Sequence, residues 1–466
     1  MLFSSISFLY YFLPCVLALY FIVPKCGKNV VILVSSIFFY AWGEPKYVII
    51  MIAMIFWAYI SGYILDMCKS DKQRKIYLIL AVGVCLGFLG YFKYIDFFID
   101  NFNKVTGLSV SLLNVALPIG ISFYTFQIIS YMVDVYRGSA NKQKNIIKLA
   151  TYVSMFPQLI AGPILRYSDM EKQLDDRRSD IDDIALGIRR FMVGLGKKVI
   201  IANSLGELCE MFKSSDEKTV VFFWIYAIAN GLQIYFDFSG YSDMAIGIGR
   251  ILGFKFVENF NYPYISKSIT EFWRRWHISL GTWFRDYVYI PLGGNQVSQI
   301  KWFRNIVIVW VLTGFWHGAS WNFMVWGLFF GLLLIIEKKW LLRHLESSKV
   351  FSHIYLIILT VISFVIFQAV DMTEALEYIK SMFGMGGVSL ISAETLYYLR
   401  SYGMILLISI IAATPLAKNV VGKLENSSKY RKIVGVGEVV YLFMLLLVAT
   451  AYLIDGSFNP FLYFRF

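Results

Sequence analysis

Two histidines sit where proton chemistry is possible. Residues 271–295, EFWRRWHISLGTWFRDYVYIPLGGN, set His277 among Glu271, Arg274, Arg275, Arg285 and Asp286. Residues 311–323, VLTGFWHGASWNF, set His317 between Trp316 and Gly318 at the end of an apolar run. Imidazole takes and returns a proton near neutral pH, which makes both residues candidates for general acid–base work. Burying such a group costs free energy unless it is hydrogen-bonded, and an ionisable side chain at membrane depth points to function. The structural alternative for His317 is a helix-end cap. Gly314 and Gly318 argue against it, because they let a substrate or another backbone come close. For His277 the alternative is an interfacial residue between snorkelling arginines. If 271–285 is one helix, Arg274, His277, Gly281 and Arg285 share a face, which suits an anionic, phosphate-bearing ligand. The other two histidines, His344 and His353, lie in a basic loop where solvation is the default.

Other chemistry is weakly signalled. Asp237 and Asp243, in FDFSGYSDM, have no clustered histidine or third carboxylate, so structural hydrogen bonding to backbone or arginine is expected rather than a metal site. PLGGN, 291–295, lacks the lysine and the Ser or Thr of a phosphate loop and reads as a tight turn. No GxSxG serine elbow is present. Cys15, Cys26, Cys68, Cys85 and Cys209 form no CxxC and no metal spacing, so neither a disulfide frame nor a zinc site is indicated.

The elements that must position these groups are membrane helices. With 58% hydrophobic and 16% charged residues, the chain is too apolar for a soluble globule. Segments near 6–23, 46–65, 76–92, 115–136, 219–236, 322–336, 354–371 and 434–454 are long enough, or nearly so, to span as helices. Shorter ones near 29–42, 149–163, 187–203, 305–318 and 401–415 span with help or are re-entrant. The fold class expected is all-α and polytopic, with about 11–13 membrane helices including re-entrant segments. The start, MLFSSISFLYYFLPC, has no positive n-region or cleavage site and reads as a retained first span. No internal repeat appears, and residues 1–466 are expected to form a single membrane domain.

The net charge of +12 fits lysines and arginines gathered on the cytoplasmic side better than nucleic-acid binding. Basic loops at Lys25/Lys28, Lys69–Lys75, Arg137–Lys148, Lys338–Lys349 and Lys418–Lys432 are placed inside. Both termini then fall outside, in a multi-pass membrane protein. The parity requires 149–163 to dip in and return, as Pro157, Gly162 and Pro163 allow. Residues 239–304 remain as a long inner segment with no convincing span, expected to line a protein-walled cavity.

Taken together, residues 235–294, LTGFWHGASWNF (312–323) and FPQLIAGPILRY (156–167) resemble the membrane-bound O-acyltransferase family, in its branch of bacterial alginate- and peptidoglycan-type polysaccharide O-acetyltransferases. The resemblance implies a helical bundle around a central tunnel, with an acyl donor entering from the cytoplasm and an acceptor from outside. It matches the family's catalytic histidine to His317 and its second polar position to His277. His317 is then the general base and His277 a second catalytic residue that holds the donor or orients its carbonyl. Arg274, Arg275 and Arg285 are candidate donor-binding residues. No bound cofactor or metal is expected. Acetyl-coenzyme A or another acyl thioester is the expected donor, and the partners are membrane lipid, a polysaccharide acceptor and an extracytoplasmic SGNH-type acetyltransferase or esterase. Two alternatives stay open: a teichoic-acid D-alanyl transfer protein, and a polysaccharide-precursor transporter, although paired repeats and midplane charges are missing for the latter.

The last six residues, FLYFRF, follow Asn459 and Pro460 and are too apolar to wander in water. One reading is an interfacial aromatic anchor. The other makes Tyr463, the one hydroxyl in the tail, an acyl relay, since an aryl ester stays fairly activated. That reading resembles the tyrosine-bearing C-terminal motif of a small membrane peptide in D-alanylation systems.

Overall fold

The computed structural model describes residues 1–427 and 429–456, and every regular element among them is helical. Seven of these helices are long and apolar enough to cross a membrane: Lys25–Gly43, Val48–Met67, Asp71–Thr106, Val220–Ile251, Lys349–Gln368, Ala393–Ala412 and Arg431–Asp455. Shorter helices, among them Ile121–Arg137, Gln299–His317 and Trp321–Ile336, occupy the other apolar segments. The protein is therefore an all-helical, polytopic membrane protein. Its outer surface fits that solvent: Val436, Val439, Val440, Phe443 and Met444 on the Arg431–Asp455 helix are all exposed, as hydrocarbon permits and water does not.

The chain forms two compact units: residues 1–190 with 244–257, and residues 191–243 with those from 258 on. In the first, Phe3, Phe8, Phe12, Phe39 and Phe156 stack at centroid distances of 4.6 to 6.3 Å. The segment expected to dip in and return, 149–163, is interrupted: one helix ends at Ser154, Met155 leaves helical geometry (φ −49, ψ 113), and a single turn, Phe156–Leu159, carries Pro157. Gly120 (φ +74) opens the Ile121–Arg137 helix, where an added Cβ would stand 2.5 Å from the Leu159 carbonyl oxygen.

The site lies in the second unit, and here the structure corrects one expectation. The helix does not stop at 239 but runs unbroken from Val220 to Ile251. Gly240 makes this possible, because a Cβ there would meet Gly194 O at 2.8 Å and Lys198 N at 3.0 Å. The small residue lets a second backbone pack against the helix. That neighbour is the end of the Ile181–Gly196 helix with the π-helical turn Lys197–Ala202 that continues it. It sends Lys198 to Asp237 (2.6 Å, side chains 2% and 4% exposed) and Lys197 to Asp243 (2.6 Å). The two aspartates thus pair with successive lysines. In a low-dielectric interior each carboxylate is matched by a countercharge.

Candidate active site

The 271–285 stretch is not one helix. Ile269–Arg275 and Ile278–Phe284 are separate short helices, and His277 between them adopts the left-handed conformation (φ 44, ψ 53). Few side chains tolerate that region, histidine more readily than most, and it persists only where the surroundings hold it. Two sets of contacts do so.

The first set fixes the helix leading in. Ser268 caps it, accepting from Glu271 N (3.0 Å). Glu337, 0% exposed just beyond the Trp321–Ile336 helix, accepts from Ile269 N (2.5 Å), Thr270 N (2.9 Å) and Thr270 Oγ1 (2.7 Å). The first three N–H groups of the helix, otherwise orphaned, are thereby satisfied, two of them by a carboxylate where the helix dipole favours one. The second set grips the turn itself. Asn259, 0% exposed, accepts from Ile278 N through its backbone oxygen (3.0 Å). Its side-chain Oδ1 meets Ser279 Oγ (2.9 Å), Ser279 N (3.3 Å) and His277 Nδ1 (3.1 Å). His277 is 1% exposed, with the Phe238 ring edge-on at 4.7 Å. Burial pushes its pKa down to about 3, so the ring is neutral across the physiological range.

His317 is held differently. It is the last residue of the Gln299–His317 helix, 7% exposed, with its ring 5.0 Å from Trp316 and 5.2 Å from both Trp326 and Phe367. The chain returns at once in the Trp321–Ile336 helix, and the two helices touch backbone to backbone. A Cβ on Gly314 would lie 2.2 Å from Phe323 O, and one on Gly327 would lie 2.2 Å from Trp310 O. The closeness expected of Gly314 is therefore used by a second helix. Gly318 makes room for the Phe323 ring. Asn322 ties the turn to the end of the Lys349–Gln368 helix through Ala369 O (2.9 Å).

Trp316 brings the two histidines together, its ring 5.9 Å from His277 and 5.0 Å from His317. Two imidazoles around one indole, walled by aromatic rings, make a site with little water, where a base and dipoles act strongly. The arginines make contacts of their own. Arg275 bonds Glu271 (2.9 Å) and Asn261 O (3.2 Å), Arg285 pairs with Asp286 (2.7 Å), and Arg274 and Arg285 are exposed. The break at His277 removes the shared face expected of Arg274, His277, Gly281 and Arg285. PLGGN forms a turn, with Gly293 and Gly294 at φ +98 and +56 and its carbonyls held by Asn305 Nδ2. Tyr463 lies outside the described residues. Sequence reasoning missed Asn259 and Glu337. Ser268-x-x-Glu271 is the sequence pattern of a helix start, but nothing local to it points to a carboxylate at 337.

Residues 138–370, which contain His277, His317, Asn259 and Glu337, match the membrane-bound O-acyltransferase family. The chain belongs to the membrane-bound O-acyltransferase family. Among its relatives it is 38% identical to a probable alginate O-acetylase of Azotobacter vinelandii, across the whole of both chains. It is 34% identical to a peptidoglycan O-acetyltransferase of Helicobacter pylori, over 84% of this chain and 81% of that one. A teichoic acid D-alanyltransferase of Bacillus subtilis is 30% identical over 48% of this chain and 60% of its own. As a member of this family the protein is a multi-pass membrane O-acyltransferase.

Proposed function

We propose that the protein moves an acetyl group from a cytoplasmic thioester, acetyl-coenzyme A or another acyl carrier, to hydroxyls of an extracytoplasmic polysaccharide, with His317 as general base. The observation that carries this reading is His317 itself, a buried imidazole at a helix end, ringed by Trp316, Trp326 and Phe367 within the family-matched region. A thioester is already activated, so transfer to oxygen mainly requires removing the hydroxyl proton, alignment and a dry setting for the oxyanion. His317 takes the proton as the oxygen attacks the acyl carbon, then returns it to the departing thiolate. The polysaccharide reading is supported by the relatives that align over most of their length; the D-alanyl relative aligns over 48% of this chain.

The arginines Arg274, Arg275 and Arg285 serve, in this reading, to gather an anionic donor at the cytoplasmic mouth. The termini lie outside, by the distribution of basic loops. There Tyr463 receives the acyl group on its phenol oxygen and passes it to an SGNH-type partner, a step that rests on the tail's sequence alone. The test is polymer acetylation in cells lacking the gene and complemented with wild type or His317→Ala. The variant should accumulate in the membrane and lose roughly 100- to 10,000-fold in transfer. Near-normal acetylation would refute the assignment.

A further inference from the structure

The contacts of Asn259 settle which nitrogen of His277 carries hydrogen. The Ser279 peptide N–H can only donate, and it points at the Asn259 side chain at 3.3 Å, so the amide atom it meets is the oxygen. The Ser279 hydroxyl donates to the same atom at 2.9 Å. His277 Nδ1 lies 3.1 Å from that oxygen, which has no hydrogen to give, so Nδ1 is the donor. In a neutral imidazole the other nitrogen, Nε2, then carries the lone pair.

We infer that Asn259 is a positioning residue that locks His277 in the Nδ1–H tautomer, so that His277 meets the reactants through Nε2 as a hydrogen-bond acceptor for the incoming hydroxyl and not as a donor to the acyl carbonyl. The inference rests on the acyl-transfer reading for its reactants, but the tautomer itself does not. Its geometry is overdetermined. Asn259 also takes Ile278 N on its backbone oxygen, so His277 and the two residues that follow it are bound to one buried side chain and its own peptide. Burial keeps the ring neutral and so keeps a second hydrogen off Nε2. The role expected for His277 changes accordingly. An oxyanion needs donors, and an Nε2 lone pair is repelled by it; a hydroxyl hydrogen is what that lone pair accepts. His277 therefore aligns the acceptor O–H in the bound complex, and that hydrogen bond is given up as His317 takes the same proton and the oxygen attacks.

The test is nitrogen NMR of ring-labelled histidine in the full chain held in lipid nanodiscs. Only four histidines contribute, and His277→Gln identifies the signals of interest. At neutral pH the wild type should show His277 with a protonated Nδ1 and a bare Nε2. A hydrogen on Nε2, as the other tautomer or as imidazolium, overturns the proposal, and this arm needs no variant to fold. It also stands apart from activity: a protein that proved not to transfer acyl groups would still report its tautomer. Asn259→Leu should mix the tautomers and lower kcat by about 10- to 100-fold, the usual cost of losing a partner that orients an imidazole, with KM for the thioester little changed. Asn259→Asp, which keeps an acceptor oxygen, should recover most of kcat. Equal losses in both variants, with an unchanged tautomer in Asn259→Leu, would overturn the positioning role.

Discussion

The two histidines are buried to a similar degree and held by opposite means. His277 is set by polar contacts reaching far along the chain: Asn259 grips its ring, and Glu337 caps the helix that delivers it. His317 is set by shape: a close helix–helix crossing at Gly314 and Gly327, and three aromatic rings around the imidazole. A hydrogen-bonded ring has a fixed tautomer and a fixed job. The aromatic rings that seat His317 do not depend on which of its nitrogens carries hydrogen. Under the proposed function, the contrast is the one between a residue that orients and one that titrates during the reaction.

The strongest way to break the polar side of this contrast is Glu337→Ala. It leaves the N–H groups of Ile269 and Thr270 without their acceptor, at a cost of roughly 1–3 kcal/mol for each buried group. Thermal melting in detergent should drop markedly, and transfer should fall with it. Glu337→Gln, which retains one acceptor oxygen, should recover part of both. Equal melting in wild type and Glu337→Ala would show that the cap does not hold the His277 turn.

The packing side is tested by paired glycine changes. In Gly314→Ala the new Cβ faces a backbone oxygen that cannot rotate away, so the helices must separate, and overpacking of this kind costs about 1–3 kcal/mol. Gly318→Ala meets a phenyl ring, whose tilt can change, and Gly318 has ordinary extended geometry. Its loss of stability and of transfer should be clearly the smaller. The reverse order would mean that the crossing at Gly314 is not what seats His317.

A smaller effect concerns pH. The folded pKa of His277, about 3, lies below its ordinary value near 6.5. Acidification thus protonates the unfolded chain first. The stability held by this neutral ring is fully present above about pH 6.5 and declines as pH falls towards 3. The His277 ring signal should not titrate between pH 8 and 5, and the melting temperature of His277→Asn should be less sensitive to acid than that of wild type. A midpoint near 6.5 for His277 would contradict its burial.

How much of this was legible in the sequence depends on how local each feature is. The apolar segments became helices because a stretch of that length in lipid has no other way to satisfy its backbone. The break before Pro157 was legible for the same reason, being encoded within a few residues. The continuation of the Val220–Ile251 helix through Ser239, Gly240 and Ser242 was not, since it depends on Gly194 and Lys198 packing against it from another element. The left-handed turn at His277 escaped for a similar cause: its partner Asn259 is 18 residues away. The closeness at Gly314 was legible, but what fills it was not. The histidines themselves stood out because imidazoles are scarce in this chain, whereas Asn259 and Glu337 act through them and look ordinary alone.

The central claim is that both histidines serve one acyl-transfer step. It is tested most directly by the single-turnover rate of labelled acetyl transfer from a thioester in sealed vesicles, for wild type, His277→Ala, His317→Ala and the double variant. Groups that act as a unit on one transition state lose their effect together. His317→Ala should abolish most of the rate, and the double variant should be little slower than His317→Ala alone. Losses that multiply in the double variant, or a His317→Ala rate near that of wild type, would contradict the account.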